Sequence, residues 1–277
     1  MNPPSVKDIA KKWYTLLPFS KEYNQAFDEI LEKIPETQAC SLEEYDWSIH
    51  ETDQYRNLVM VLFFLEELKS RYDAKGIAED IFWETAKEIT VYARRCKEAT
   101  GSIGIQRLPM SLRILTMHLF RIGRLQFCME PMPADIPEKD LHIGDAVLDL
   151  HITEDGTLDI NACKESVAMA EDFFAKYFPD FTYQYYTCNS WLMDEGLAQF
   201  LPENSNIIKF QKLFEIYNKR AYDSILHFMF KYGLSDREEI RDIPASTLFS
   251  KKIKEYALAG GTFYIACGVR DKNCDTW

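Results

Sequence analysis

The chain reads as an α+β protein in which a helical first part is followed by a mixed sheet flanked by helices. Three observations carry this. Apolar residues in the first hundred positions recur at helical spacing, with Tyr23, Phe27, Ile30, Leu31 and Ile34 forming one such stripe. Beyond Gly101, Gly104 and Pro109 the pattern changes to short alternating segments, of which Asp145 to Ile152 is the clearest. One long amphipathic helix over residues 160–178 then separates two of these segments, the mark of a layered α+β domain. The boundary is placed after residue 105, giving a helical domain over 1–105 and a sheet domain over 106–277.

In order, a helix over Val6 to Leu17 breaks at Pro18, and Ser20 caps a second that stops before Pro35. Helices follow over Leu58 to Tyr72, Ile77 to Lys97 and Leu112 to Phe120. Arg121 to Met129 enters a strand. Asp145 to Ile152 is the next, with Val147, Asp149 and His151 on one face and Ala146, Leu148, Leu150 and Ile152 on the other. In the long helix Ile160, Cys163, Val167, Ala170, Phe174 and Tyr177 recur at alternating steps of three and four. Asp159 caps its start and Pro179 marks its stop. A strand over Tyr183 to Cys188 leads into Cys-Asn-Ser-Trp. Asp194 then caps a short helix ended by Pro202, and Asn204 to Asn206 offer the next cap. Leu213 to Tyr217 and Ile225 to Phe230 read as a hairpin, Ser246 as the cap of a last helix ending at Gly260-Gly261, and Thr262 to Val269 as a final strand.

Composition limits the function classes. A formal net charge of −12, from 44 acidic against 32 basic residues, disfavours nucleic acid and anionic membrane as partners. Seven cysteines show no CxxC or metal-ligand spacing and fit reduced thiols. The longest apolar run, Leu58 to Leu65, falls short of the ~20 residues a membrane span needs. The N-terminal MNPPSVKD lacks the features of a signal peptide, so a cytoplasmic location is expected.

Three blocks carry a resemblance: HLFRIGRLQF at 118–127, LHI at 150–152 followed by 158–179, and CNSWLMDEGLAQFLPENSNIIKFQKLF at 188–214. They resemble a bacterial acyltransferase-domain family with a helical N-terminal domain and a GNAT-like (N-acyltransferase) C-terminal domain. The resemblance implies acyl-CoA as co-substrate, its pantetheine arm entering between two splayed parallel strands, and an amine acceptor on a small molecule or peptide. By order, the strand ending at Ile152 is the first of that pair and Tyr183 to Cys188 the second. Leu150, Ile152, Thr153, Gly156 and Cys188 then lie along the acyl-CoA path.

Direct attack by an amine needs a base and an acid. His151, at the end of the first strand, is the candidate base. Tyr185 and Tyr186 point to opposite faces, so one at most reaches the cleft, and Tyr186 is taken as the acid for the leaving thiolate. Cys188 raises the alternative of a thiol nucleophile. Trp191 and Phe210 are read as core anchors, His118 as structural, Asn206 and Gln126 as residues that pin loops. The segment after the first strand, Thr153 to Asp159, departs from the family pattern: it has one glycine and three carboxylates, which repel phosphate. That favours a second reading, a non-catalytic binding module that has lost the pyrophosphate loop.

Overall fold

A computed structural model describes residues 4–50 and 52–274. The chain divides into two compact units, Met1–Phe120 and Arg121–Trp277.

The first unit contains α1 (Val6–Leu16), α2 (Asn24–Lys33), α3 (Gln54–Lys75), α4 (Glu79–Ala86), α5 (Glu88–Thr100) and α6 (Leu108–Leu115). Local chemistry sets several of the ends. Ser5 and Asp8 form a reciprocal capping box on α1, and the Asp53 carboxylate accepts the Tyr55 and Arg56 N–H groups at the start of α3. Gly76, at φ +68°, closes α3 in the left-handed conformation. Trp13, Phe27, Phe64, Tyr72 and Phe82 are buried, with Trp13 edge-on to Phe82 at 5.5 Å. Two expectations change here. The helix expected over Ile77 to Lys97 is two helices that meet at Lys87. The helix expected over Leu112 to Phe120 lies earlier, because Pro109 falls in its first turn, where a missing N–H costs no helical bond.

The sheet begins with β1 (Leu119–Ile122), which crosses the division between the units, and continues with β2 (Leu125–Pro131) and β3 (Ala146–Ile152). Next come α7 (Ile160–Tyr177), β4 (Tyr185–Ser190), α8 (Asn206–Gln211), β5 (Glu215–Ala221), α9 (Ser224–Met229), α10 (Leu248–Leu258) and β6 (Tyr264–Asp271). Strand order is β1-β2-β3-β4-β6-β5. The pairs β2/β3, β4/β6 and β5/β6 are antiparallel, whereas β3/β4 is parallel, with α7 as the crossover. Asp159 caps α7 by accepting the Ala162 N–H. The buried Ser166 of α7 donates to the Ile122 carbonyl and accepts the Leu125 N–H at 3.1 Å, holding the β1–β2 turn against the helix. Gly123 takes φ +62° in that turn, and a Cβ there would lie 3.3 Å from Ser166.

The expected hairpin over Leu213 to Phe230 is corrected. Its second arm is α9, whose Ile225 and Leu226 pack in one cluster with Leu197, Ile240, Ile253 and Phe263. Its first arm is β5, which starts and ends later than expected. The last helix is capped by Thr247, which accepts the Ser250 N–H, and not by Ser246.

The stretch after β4 is a fastener. Buried Asp194 accepts the Gly196 N–H (3.0 Å) and the Tyr264 N–H (3.1 Å), and lies 3.2 Å from Lys219 Nζ. Lys219 sits in a β5 bulge beside Asn218, itself at φ +50°. Gln211 of α8 donates to the carbonyls of Leu192 and Asp194. One carboxylate and one amide therefore tie the end of β4 to β5, β6 and α8.

Candidate active site

Parallel pairing between β3 and β4 covers Leu148↔Tyr186 and Asp149↔Thr187, and stops there. Leu150 to Ile152 stay paired with Phe127 to Leu125 on β2, and Cys188 to Ser190 stay paired with Gly268 to Ala266 on β6. Each strand keeps its outer neighbour while the inner edges part. The result is a fork beyond whose last rung the two strands no longer pair with each other, the kind of edge an amide-bearing ligand can pair with.

Alternation along the strands places Asp149, His151 and Thr187 on one face of the fork. Thr187 Oγ1 donates to Asp149 Oδ1 at 2.6 Å, and Asp149 Oδ2 lies 3.2 Å from His151 Nε2. The carboxylate thus bridges the two strands at their last common rung and faces one nitrogen of the imidazole. Among the described residues no hydrogen bond is made to His151 Nδ1. The His151 side chain is 30% exposed and that of Asp149 14%, so a solute can reach the first and barely the second.

The structure does not bring Tyr186 to this group. In register with Leu148, it points to the opposite face, where its fully buried hydroxyl donates to Glu171 Oε1 of α7 at 2.6 Å. Burial, followed by that bond, pushes its ionisation far above the ordinary range. Tyr185 is also committed, its hydroxyl donating to the Lys139 carbonyl. Cys188 sits on the Tyr186 face, buried, with its thiol pushed well up by burial, which keeps it protonated and unreactive. Among the described residues His118 Nδ1 meets its neighbour Thr116 Oγ1, at 2.9 Å. The backbones of Leu150, Ile152 and Cys188 do lie on the fork, and Thr153 and Gly156 on the loop that follows β3.

That loop is not a bare acidic segment. Arg121 Nη1 pairs with Asp155 at 2.9 Å. Arg124 donates to Thr153 Oγ1 (2.8 Å) and the Thr157 carbonyl (2.7 Å), with longer contacts to the carbonyls of Thr153 and Gly156. The Asp159 carboxylate is occupied by α7. Two arginines from the β1–β2 turn therefore offset and shape the loop, so counting its carboxylates alone overstated the repulsion. Asp149, Thr187 and the two arginines were missed from sequence. The signal for Asp149 was present, two residues before His151 on the same strand face; that for the arginines was the RIGR turn inside an already conspicuous block.

A cleft of about 400 Å³ opens at the end of β5, lined by Tyr222, Asp223, His227, Arg237 and Phe263. Its cation is committed, Arg237 bonding both Asp223 oxygens (2.5 and 2.7 Å) and the Gly261 carbonyl.

A helical unit, a mixed sheet and a parallel pair that splays past its last rung define a GNAT-like acyltransferase fold. The chain belongs to the family of proteins with a GNAT-like C-terminal domain, whose model matches residues 119–270, and an N-acyltransferase N-terminal domain matches residues 7–109. Among solved structures it is similar to an acyltransferase in complex with decanoyl-CoA, at 24% identity and TM-score 0.68 over 89% of this chain and 76% of that one. It is similar also to an acyltransferase in complex with decanoyl-CoA and teicoplanin, and to one with CoA and 10C-teicoplanin. Each of these gives 20% identity and TM-score 0.73 over 98% of this chain and 89% of the other. No curated protein matches the chain.

Proposed function

We propose that the protein transfers an acyl group from acyl-CoA to an amine on a small molecule or peptide, by direct attack at the fork. The observation that carries this reading is the two-rung pairing of β3 and β4 with His151, Asp149 and Thr187 on the rim where it ends. Family membership and the CoA complexes of the similar structures support it.

In this reading the inner edges of Leu150 to Ile152 and Cys188 to Ser190 pair with the pantetheine arm. The loop from Thr153 to Gly156 and the first turn of α7 face the phosphates, with Arg121 and Arg124 lowering the local negative charge. Asp149 holds the proton of His151 on Nε2, so Nδ1 offers its lone pair to the amine. As the C–N bond forms, the thioester carbonyl oxygen takes up negative charge and His151 accepts one N–H proton. Collapse of the adduct breaks the C–S bond. The imidazolium returns its proton to the thiolate, and amide and CoA thiol leave. The same imidazole serves as base and acid, because Tyr186 is on the other face.

The acidic loop had favoured a non-catalytic module, and the Arg121–Asp155 pair removes that support. Thermal denaturation with acyl-CoAs of rising chain length tests the reading. Ligand at ~100 times Kd stabilises the native state by roughly 2.7 kcal/mol. A chain-length-dependent rise, joined by thiol release when amines are added, is expected. No rise at millimolar ligand would leave the fold a binding module for something else.

A further inference from the structure

Gln126 was expected to pin a loop. Instead it lies in β2 directly across from His151, and its side chain shares the His151 face of the sheet. It is 3% exposed, and its amide Nε2 is fully buried with no hydrogen-bond partner. An amide donor without a partner in a protein interior is costly, and folded proteins rarely keep one that nothing uses. Its neighbours along that face of β2 and β3 are Cys128 and Asp149. The Cys128 thiol goes to Glu130, the Asp149 carboxylate accepts from Thr187 and faces His151, and neither is a hydrogen-bond partner of Gln126 Nε2. The residue that bears this orphan donor thus stands directly opposite His151 in the β2/β3 register, beyond the last β3/β4 rung.

We infer that Gln126 is a catalytic residue whose amide donates to the thioester carbonyl oxygen of the bound acyl donor and holds that oxygen as it becomes an oxyanion. This rests on the acyltransferase reading and adds a group to it. The chemistry selects among the possible acceptors. A donor aimed at the attacking amine would occupy the lone pair needed for the new C–N bond, and so would oppose the reaction. The CoA thiolate departs last and receives a proton from His151. Only the carbonyl oxygen gains charge at the same moment that His151 gains a proton, and a fixed donor beside the base meets that charge without reorganising.

The test uses Gln126→Leu and Gln126→Met in the full chain. Each removes the donor at similar volume. Because the substitution also removes an unpartnered polar group, both variants are expected to melt at or above the wild-type temperature. Binding of [1-13C]octanoyl-CoA is followed by isotope-edited infrared spectroscopy, and thiol release by absorbance. The wild-type complex should show the labelled carbonyl band at lower frequency than either variant complex. Turnover should fall roughly 10²-fold in the variants, with KM for acyl-CoA little changed. An unmoved carbonyl band, or turnover within about threefold of wild type, overturns the assignment and leaves Gln126 structural. Failure of the wild-type protein to bind any acyl-CoA overturns the acyltransferase reading itself, and this inference with it.

Discussion

Replacing Asp149 by Asn tests the proton path at the fork. The change preserves size and leaves an amide oxygen that can accept the Thr187 hydroxyl, so the staple between β3 and β4 survives. What it removes is the negative charge and the second acceptor oxygen. At 3.2 Å from His151 Nε2, a carboxylate stabilises an imidazolium by about 5 kcal/mol at an effective dielectric near 20, and by about 1.3 kcal/mol in bulk water. With His151 30% exposed, a value of about 2–3 kcal/mol is appropriate, or roughly 30- to 150-fold in rate. A second loss adds to this. The Asn amide presents N–H to Nε2, which drives the imidazole proton onto Nδ1 and blocks the nitrogen that should accept from the amine. Turnover in Asp149→Asn should therefore fall at least 10²-fold, within the ~10²–10⁴ that a general base supplies. KM for acyl-CoA should stay within about twofold, and the melting temperature within about 2 °C. Thiol release under saturating donor and acceptor reads the first, a thermal melt the last. Turnover within about threefold of wild type would refute the dyad and leave Asp149 as the strand staple alone.

Other consequences are open to direct measurement. Thr187→Val removes the hydrogen bond to Asp149 and should cost about 2 kcal/mol, lowering the melting temperature by roughly 4–8 °C and turnover with it; an unchanged melt would mean the bond contributes nothing to stability. Arg121→Ala removes the ion pair to Asp155 and one positive charge beside the proposed phosphate site and should weaken acyl-CoA binding several-fold at low salt, the loss shrinking as ionic strength rises; calorimetry at two salt concentrations decides it. Asp194→Ala leaves the Tyr264 N–H and Lys219 without their acceptor and should destabilise by about 3 kcal/mol or more in urea titration. Among the cysteines, only Cys40 and Cys274 should label rapidly in the native protein. The other five are buried, with Cys163 pushed up to about 11 and Cys267 to about 12 by burial, and a third fast thiol would contradict that.

Elements whose signals are local were legible in the sequence. Helix α7 is one, since its cap Asp159 directly precedes the eighteen residues that carry its apolar stripe. Elements defined by their neighbours were not. Strand β5, Glu215–Ala221, is an edge strand exposed along most of its length, so Asn218, Lys219 and Arg220 dilute the alternation that marks a half-buried strand. The run over Ile225 to Phe230 has the length and apolarity of a strand, yet it is a helix whose Ile225 and Leu226 complete a cluster with Ile253 and Ala257 of α10, Leu197, Ile240 and Phe263. Short apolar runs are ambiguous by periodicity alone, and only the packing decides.

The site shows the same division between what a chain specifies locally and what register decides. His151 and its face were readable from alternation within β3, and so was the opposition of Tyr185 to Tyr186 within β4. Which tyrosine, if either, shares a face with His151 depends on how the two strands align, and no residue in either states that. The pairing Leu148↔Tyr186 settles it, sending Tyr186 to Glu171 and Thr187 to Asp149. A slip of one residue would exchange them. The register therefore gives the fork a threonine in place of a phenol. A buried threonine hydroxyl that already donates to a carboxylate does not protonate a thiolate, so in the proposed reaction the proton taken from the amine would have one carrier back to sulfur, His151 itself. Acid and base would then be a single group used twice, and on that proposal a substitution at His151 should stop both half-steps together.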